Sequence, residues 1–210
     1  MIGMKTGLLG GTFDPIHVGH IHIAEAAMKE YGLQEIWFMP AGDPYFKEGM
    51  GVTPPELRLE MVKRCTDELP DGFSCSDIEI NDKNRTYTSD TLKKLNAMYP
   101  EREFYFILGL DSLISISTWH CPAEIFKRAV ILCASRDSGD DFSKAHEIIR
   151  DTVSVFYEVR PDIRLIHTPE MNISSTMIRK LISEGGDASP YLTRGTYEFI
   201  RENGLYGSHR

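Results

Sequence analysis

Residues 10–20 read Gly10-Gly11-Thr12-Phe13-Asp14-Pro15-Ile16-His17-Val18-Gly19-His20, and this stretch decides the fold. Just upstream, Lys5 to Leu9 is short and apolar, a strand pattern that stops at the two glycines. Just downstream, Ile21, Ala24, Met28 and Tyr31 recur at spacings of three and four, which predicts a helix over 17–31 with Gly32 as its stop. Strand, glycine turn and helix in that order begin an open α/β sheet, whose ligands bind at the carboxyl ends of the strands. Gly10 and Gly11 remove side chains where a phosphate would approach the backbone. The helix start adds free N–H groups and the positive end of its dipole. His17 and His20 share one face of the first turn, and Gly19 between them permits close approach. Two imidazoles placed there suit a polyphosphate whose negative charge grows as a bond breaks.

Outward from this turn the chain keeps alternating. Glu35 to Met39 reads as a strand, 40–53 as a Gly- and Pro-rich loop, and Pro55 opens a helix to about Leu69 with Leu57, Met61, Val62 and Cys65 inward. Residues 73–80 alternate like a strand, and 88–98 read as a helix capped by Thr88 or Ser89. Phe104 to Leu108 and Ala129 to Ala134 are unbroken apolar runs, as expected of parallel strands buried on both faces. A helix over 144–157, a strand over 163–166 and helices over 174–184 and 196–202 complete the pattern. The expectation is an α/β fold, a doubly wound parallel sheet with a small helical C-terminal part. One domain over 1–210, with 170–210 as its helical subregion, accommodates all of it.

Composition narrows the function classes. With 210 residues, 41% hydrophobic and 26% charged, the chain has ample material for a core. Its formal charge of -8 argues against non-specific nucleic-acid binding, which needs a basic footprint. A local cluster of donors can still hold a phosphate inside an acidic envelope. No apolar run approaches the ~18 residues that span a bilayer, and the stretch before the first glycines is too short for a signal peptide. Cys65, Cys75, Cys121 and Cys133 show no C-x-x-C spacing, so neither a zinc knuckle nor a disulfide scaffold is expected. A reduced, cytoplasmic, membrane-free protein is the expectation, with a homo-oligomer left open because no heptad specifies one.

Other chemistry at the turn is weaker. The G-x-G-x-x-G spacing is absent, and no Gly-Lys-Ser/Thr follows the glycines. Zinc on His17 and His20 would need further ligands, and Asp14 is the near candidate. His22 faces away from the pair. No residues are assigned to a metal site.

Gly-Thr-Phe-Asp-Pro-Ile-His-Val-Gly-His resembles the signature of the nucleotidyltransferase superfamily, with its H-x-G-H element. Its longer form is similar to that of the bacterial nicotinate-mononucleotide adenylyltransferases. Further segments follow the family in order: Pro40 to Lys47; Leu57 to Met61; Arg85-Thr86-Tyr87-Thr88-Ser89-Asp90-Thr91-Leu92; Gly109-Leu110-Asp111-Ser112; Trp119; Ile173-Ser174-Ser175-Thr176-Met177-Ile178-Arg179; and Tyr197 to Tyr206. The chain departs from it at Tyr45 and Phe46, where the family has Pro-His, and at His120, where Tyr is frequent.

The resemblance implies a Rossmann-like nucleotidyltransferase fold and an enzyme of NAD biosynthesis. It would transfer the adenylyl group of ATP to nicotinate mononucleotide, giving deamido-NAD and pyrophosphate. Catalysis falls to His17, His20, Lys47 and Arg179. ATP is expected at Gly10, Gly11, Thr12, Phe13, His17 and His20, then at Gly109 and Asp111, and again at Ile173, Ser174, Ser175 and Arg179. The mononucleotide is expected at Lys47, Thr86, Tyr87, Thr88 and Trp119, and Mg²⁺ is expected with ATP. By themselves these residues have plainer readings as well. Taken alone, Lys47 reads as a solvated lysine and Ser174 to Arg179 as an ordinary capped helix, while Asp111 reads also as a helix cap and Trp119 equally as core. Nicotinamide mononucleotide or another phosphate as acceptor, and a non-catalytic nucleotide sensor, are the alternatives.

Overall fold

The computed structural model describes residues 3–42, 51–81, 86–136, 139–168 and 171–208. Its strands are β1 (Met4–Gly11), β2 (Glu35–Pro40), β3 (Phe73–Cys75), β4 (Arg102–Gly109), β5 (Val130–Arg136) and β6 (Ile163–Thr168). They form one sheet in the order β3-β2-β1-β4-β5-β6. Strand β4 pairs in parallel with both β1 and β5, and β5 with β6, so that Leu8 lies opposite Phe106, Ile107 opposite Leu132 and Cys133 opposite Leu165. This is the doubly wound sheet expected from the alternation. The order reverses between β1 and β4, and such a reversal opens a crevice at the strands' carboxyl ends. Gly10 and Gly109 stand at those ends. Phe104 to Leu108 and Ile131 to Cys133 are buried, which explains why both runs lack polar alternation.

The helices are α1 (Val18–Tyr31), α2 (Pro55–Thr66), α3 (Thr88–Met98), α4 (Leu110–Ser115), α5 (Pro122–Arg128), α6 (Gly139–Val155), α7 (Ser175–Ser183) and α8 (Arg194–Glu202). No described helix is long and apolar enough to cross a membrane.

The chain divides into two compact units. The first comprises Met1–Gly10, Ile23–Trp37 and Thr86–Glu170, and the second Gly11–His22, Phe38–Arg85 and Met171–Arg210. In the first, a Cβ on Gly7 would lie 2.3 Å from Ile36 Cδ1, so the glycine lets β1 and β2 close on each other. Arg102 there donates to Thr6 Oγ1 at 2.9 Å, pairs with Glu35 and stacks over Trp37 and Tyr99. In the second, α8 packs on α2 and the Thr196 hydroxyl donates to the Met61 carbonyl at 3.2 Å. The Ser76 N–H donates to the Phe38 carbonyl at 2.9 Å, continuing the hold on β2 beyond β3.

The structure corrects several local expectations. The strand expected over 73–80 ends at Cys75, because the Asp77 carbonyl accepts the N–H groups of Ile80 and Asn81 and closes a turn. The cap of α3 is Tyr87, not Thr88 or Ser89, and its side chain makes no cap bond. In α2 the buried face carries Arg58, with Met61, Val62 and Cys65, while Leu57 is half-buried. Short helices α4 and α5 give too little periodicity to be seen in the sequence.

Candidate active site

Within the second unit, the signature turn is held from behind by its carbonyl groups. Strand β1 ends at Gly11, whose carbonyl accepts the Ala41 N–H at 2.9 Å. Phe13 then takes a left-handed backbone, φ 50°, and its ring is buried. A Cβ on Gly11 would sit 3.1 Å from that ring, so the glycine admits it. Beyond it the Thr12 carbonyl accepts from Arg58 at 2.7 Å, that of Asp14 from Arg179 at 2.7 Å, and that of Pro15 from the Ser175 hydroxyl at 2.9 Å. The buried Asp14 carboxylate accepts from the Tyr206 hydroxyl at 2.5 Å and from the Thr53 N–H at 3.3 Å. Donors from α2, α7 and the C-terminal turn thus pull the turn's acceptors to their side.

His17 and His20 lie together at the start of α1, their ring centroids 3.8 Å apart and tilted by 31°. The His17 N–H donates to His20 Nδ1 at 3.2 Å, so in the neutral ring the proton sits on His20 Nε2. The Phe13 edge meets His20 at 5.0 Å. Gly19 is required by His17: a Cβ there would lie 3.0 Å from Nδ1 and 3.1 Å from Cε1. Buried His17 Nδ1 has no hydrogen-bond partner among the described residues. Burial lowers the His17 pKa from 6.5 to about 4. His20 is pushed well below 6.5 by burial and then by the neighbouring His17 charge. Two imidazoles this close repel when both are charged, so without a counter-anion they stay neutral.

Around the pair, α7 begins as the sequence predicts. Ser174 caps it by accepting the Met177 N–H at 3.1 Å, and Ile173 comes within 4.0 Å of where a Gly19 Cβ would stand. Arg179 points into the turn, with a second bond to Thr176 Oγ1 at 3.4 Å. The second unit therefore brings together Gly11 to Phe13, both histidines, Ile173 to Ser175 and Arg179. Lys47 lies outside the described residues.

The first unit carries the other expected residues. A Cβ on Gly10 would lie 3.6 Å from the Phe106 ring, an ordinary contact, and Gly109 has open space where a Cβ would project. Gly109, not Asp111, is the N-cap of α4, which leaves the Asp111 carboxylate exposed in the helix's first turn. Trp119 packs edge-on to Phe106 at 6.4 Å and donates from Nε1 to Ser115 Oγ at 3.3 Å, so the core reading describes part of its role. Tyr87 stacks on His120 at 4.4 Å, between half-buried Thr86 and Thr88.

Sequence reasoning missed the groups that hold the turn. Arg58, wholly buried, donates to the carbonyls of Thr12, Gly42 and Thr53, the last two at 2.9 Å each. Its signal was a charge three and four residues before Met61 and Val62, on their own inward face. Tyr206, Thr53 and the role of Asp14 left no local signal. Burial pushes the thiols of Cys65, Cys75 and Cys133 up to about 12, which removes them as nucleophiles at neutral pH.

A parallel sheet of this order with a histidine pair at its first turn defines a class, the nucleotidyltransferases. The family model described as cytidylyltransferase-like matches residues 8–181. A probable nicotinate-nucleotide adenylyltransferase of Desulfitobacterium hafniense (strain Y51) is 39% identical over 96% of this chain and 95% of its own. One of Clostridium botulinum (strain Okra / Type B1) is 39% identical over 97% and 99%. The fold also matches that of Plasmodium falciparum nicotinic acid mononucleotide adenylyltransferase complexed with NaAD, at a TM-score of 0.77 and 22% identity over 98% of both chains. The chain belongs to the cytidylyltransferase-like family and, within it, to the nicotinate-nucleotide adenylyltransferases.

Proposed function

We infer that this chain transfers the adenylyl group of ATP to nicotinate mononucleotide, forming deamido-NAD and releasing pyrophosphate. The observation that carries the reading is the pair of imidazoles on the signature turn, their ring centroids 3.8 Å apart. Such a pair gains a counter-charge when a triphosphate arrives, and each ring then favours its protonated form. The mononucleotide's 5′-phosphate oxygen attacks the α-phosphorus in line, the bond to the β-phosphate oxygen breaks, and pyrophosphate leaves with the electron pair. The attacking phosphate is ionised at neutral pH, so no general base is needed, and catalysis is positioning plus charge stabilisation.

His17 is assigned to the two reacting phosphates and His20 to those of ATP. Arg179, Lys47 and the α7 start at Ser174 and Ser175 are assigned to the leaving group. On the strength of the family resemblance, Gly109 and Asp111 are assigned to the nucleotide's ribose, and Thr86 to Thr88 with Trp119 to the nicotinate end. Among the described residues no group of three or more His, Cys, Asp or Glu could hold a metal, and both Asp14 oxygens face donors. The Mg²⁺ that accompanies ATP is therefore assigned to phosphate oxygens and water, where it offsets their charge.

Pyrophosphate release, measured with a panel of nucleotides crossed with a panel of acceptors, tests the reading. ATP with nicotinate mononucleotide should give the highest kcat/KM. Preference for nicotinamide mononucleotide would move the acceptor assignment, and no release with any pair would leave a nucleotide sensor.

A further inference from the structure

Tyr206 lies almost two hundred residues beyond the signature turn in sequence, yet its hydroxyl donates to Asp14 inside that turn at 2.5 Å. Its backbone is left-handed, φ 58° and ψ 23°, a conformation that side-chain-bearing residues rarely adopt. Gly204 and Gly207 on either side are also left-handed, at φ 60° and 78°. Three such residues within four coil the chain end tightly and turn the phenol inward, against Met61 Sδ at 3.8 Å. A strained backbone that persists is over-determined by its surroundings, and the bond to Asp14 is what this one delivers. The same aspartate accepts the Thr53 N–H at 3.3 Å, and its carbonyl accepts Arg179 at 2.7 Å. Thr53 Oγ1 in turn reaches the phenol oxygen at 3.5 Å. Asp14 is three residues before His17 and next to Phe13, whose ring meets His20. A lost anchor on Asp14 is therefore transmitted through a few bonds to both imidazoles.

We propose that Tyr206 is a positioning residue for adenylyl transfer: its hydroxyl, bonded to Asp14, sets the turn that carries His17 and His20. The proposal rests on the adenylyltransferase reading, and it concerns geometry at the histidines rather than contact with substrate. It also makes the turn at 204–207 part of what holds the histidines in place.

Tyr206→Phe removes only the hydroxyl and keeps the ring against Met61. In the full-length protein at 25 °C, with folding verified by circular dichroism and a melt, kcat should fall about tenfold, the scale of one hydrogen bond to a charged acceptor. The KM for the mononucleotide should stay within twofold. In the ligand-free protein the ring ¹⁵N resonances of His17 and His20 should shift, and Asp14→Asn should move them as well. A folded Tyr206→Phe protein with wild-type kcat and unmoved histidine resonances would overturn the proposal. So would a kcat loss that only tracks the unfolded fraction. If the wild-type protein itself transfers no adenylyl group, the functional reading fails, while the histidine resonances still report on the positioning.

Discussion

His17 and His20 are held in a state that suits waiting rather than binding. Their rings touch, burial keeps them neutral, and His20 offers a donor from Nε2. Losing His20 removes a donor aimed at developing charge, so His20→Ala should lower kcat by about 10²–10³ with the melting curve preserved. An unchanged turnover number would remove the histidine from the mechanism. The depressed His17 pKa also has a consequence for stability. Between pH 6.5 and about 4 the unfolded chain binds a proton that the folded one refuses. This contribution is intact above pH 6.5 and is lost as the pH falls toward 4, by about 3 kcal/mol in total. Urea melts of the ligand-free protein at several pH values should show that decline, and His17→Gln should flatten it. Of these properties the sequence showed the residues and their spacing. The 3.8 Å contact and the orphaned Nδ1 depend on Phe13 turning left-handed and on room at Gly19, which only coordinates display.

Among the elements, α2 matters through one side chain. Arg58 joins the Thr12 carbonyl, just beyond β1, to those of Gly42 and Thr53. Its charge reads in sequence as solvent-facing, yet the helical period places it inward with Met61 and Val62. Removing it takes the donor from three carbonyls, Thr53 buried and Thr12 and Gly42 half-buried, so Arg58→Met should destabilise the fold by about 3 kcal/mol. In a chain of this size that corresponds to a fall in Tm of roughly 6–12 °C. Arg58→Lys should be only partly restored, since one ammonium cannot match a fork spread over three acceptors. A Tm within a degree of wild type for both variants would show that the carbonyls find other donors. Helix α1 is legible in sequence through its period and strands β4 and β5 through their unbroken apolar runs, because burial writes both patterns. Strand β3 misled because an Asp77 turn happens to continue an alternating run.

Taken as a whole, the molecule is an acidic chain with a small cationic and hydrogen-bonding centre at its signature turn. Global composition argued against non-specific nucleic-acid binding but was silent on this centre, because two arginines and two imidazoles barely alter a charge of -8. The order of motifs along the chain was legible, while the order of strands in the sheet came from the coordinates. The C-terminal Tyr206 anchor was not, since it joins residues far apart in sequence. The neutral resting state predicts that ATP binding takes up protons near pH 6.5, as phosphate oxygens raise both histidine pKa values. Calorimetric titrations in two buffers of different ionisation enthalpy should then give different apparent enthalpies, with the sign of uptake. Equal enthalpies would mean that the rings stay neutral beside the nucleotide.

A crystal structure with a non-hydrolysable ATP analogue tests the central claim most directly. The triphosphate should lie against the first turn of α1, with His20 Nε2 and a His17 ring nitrogen within hydrogen-bond distance of its oxygens. A triphosphate bound away from that turn, with both rings untouched, would contradict the account.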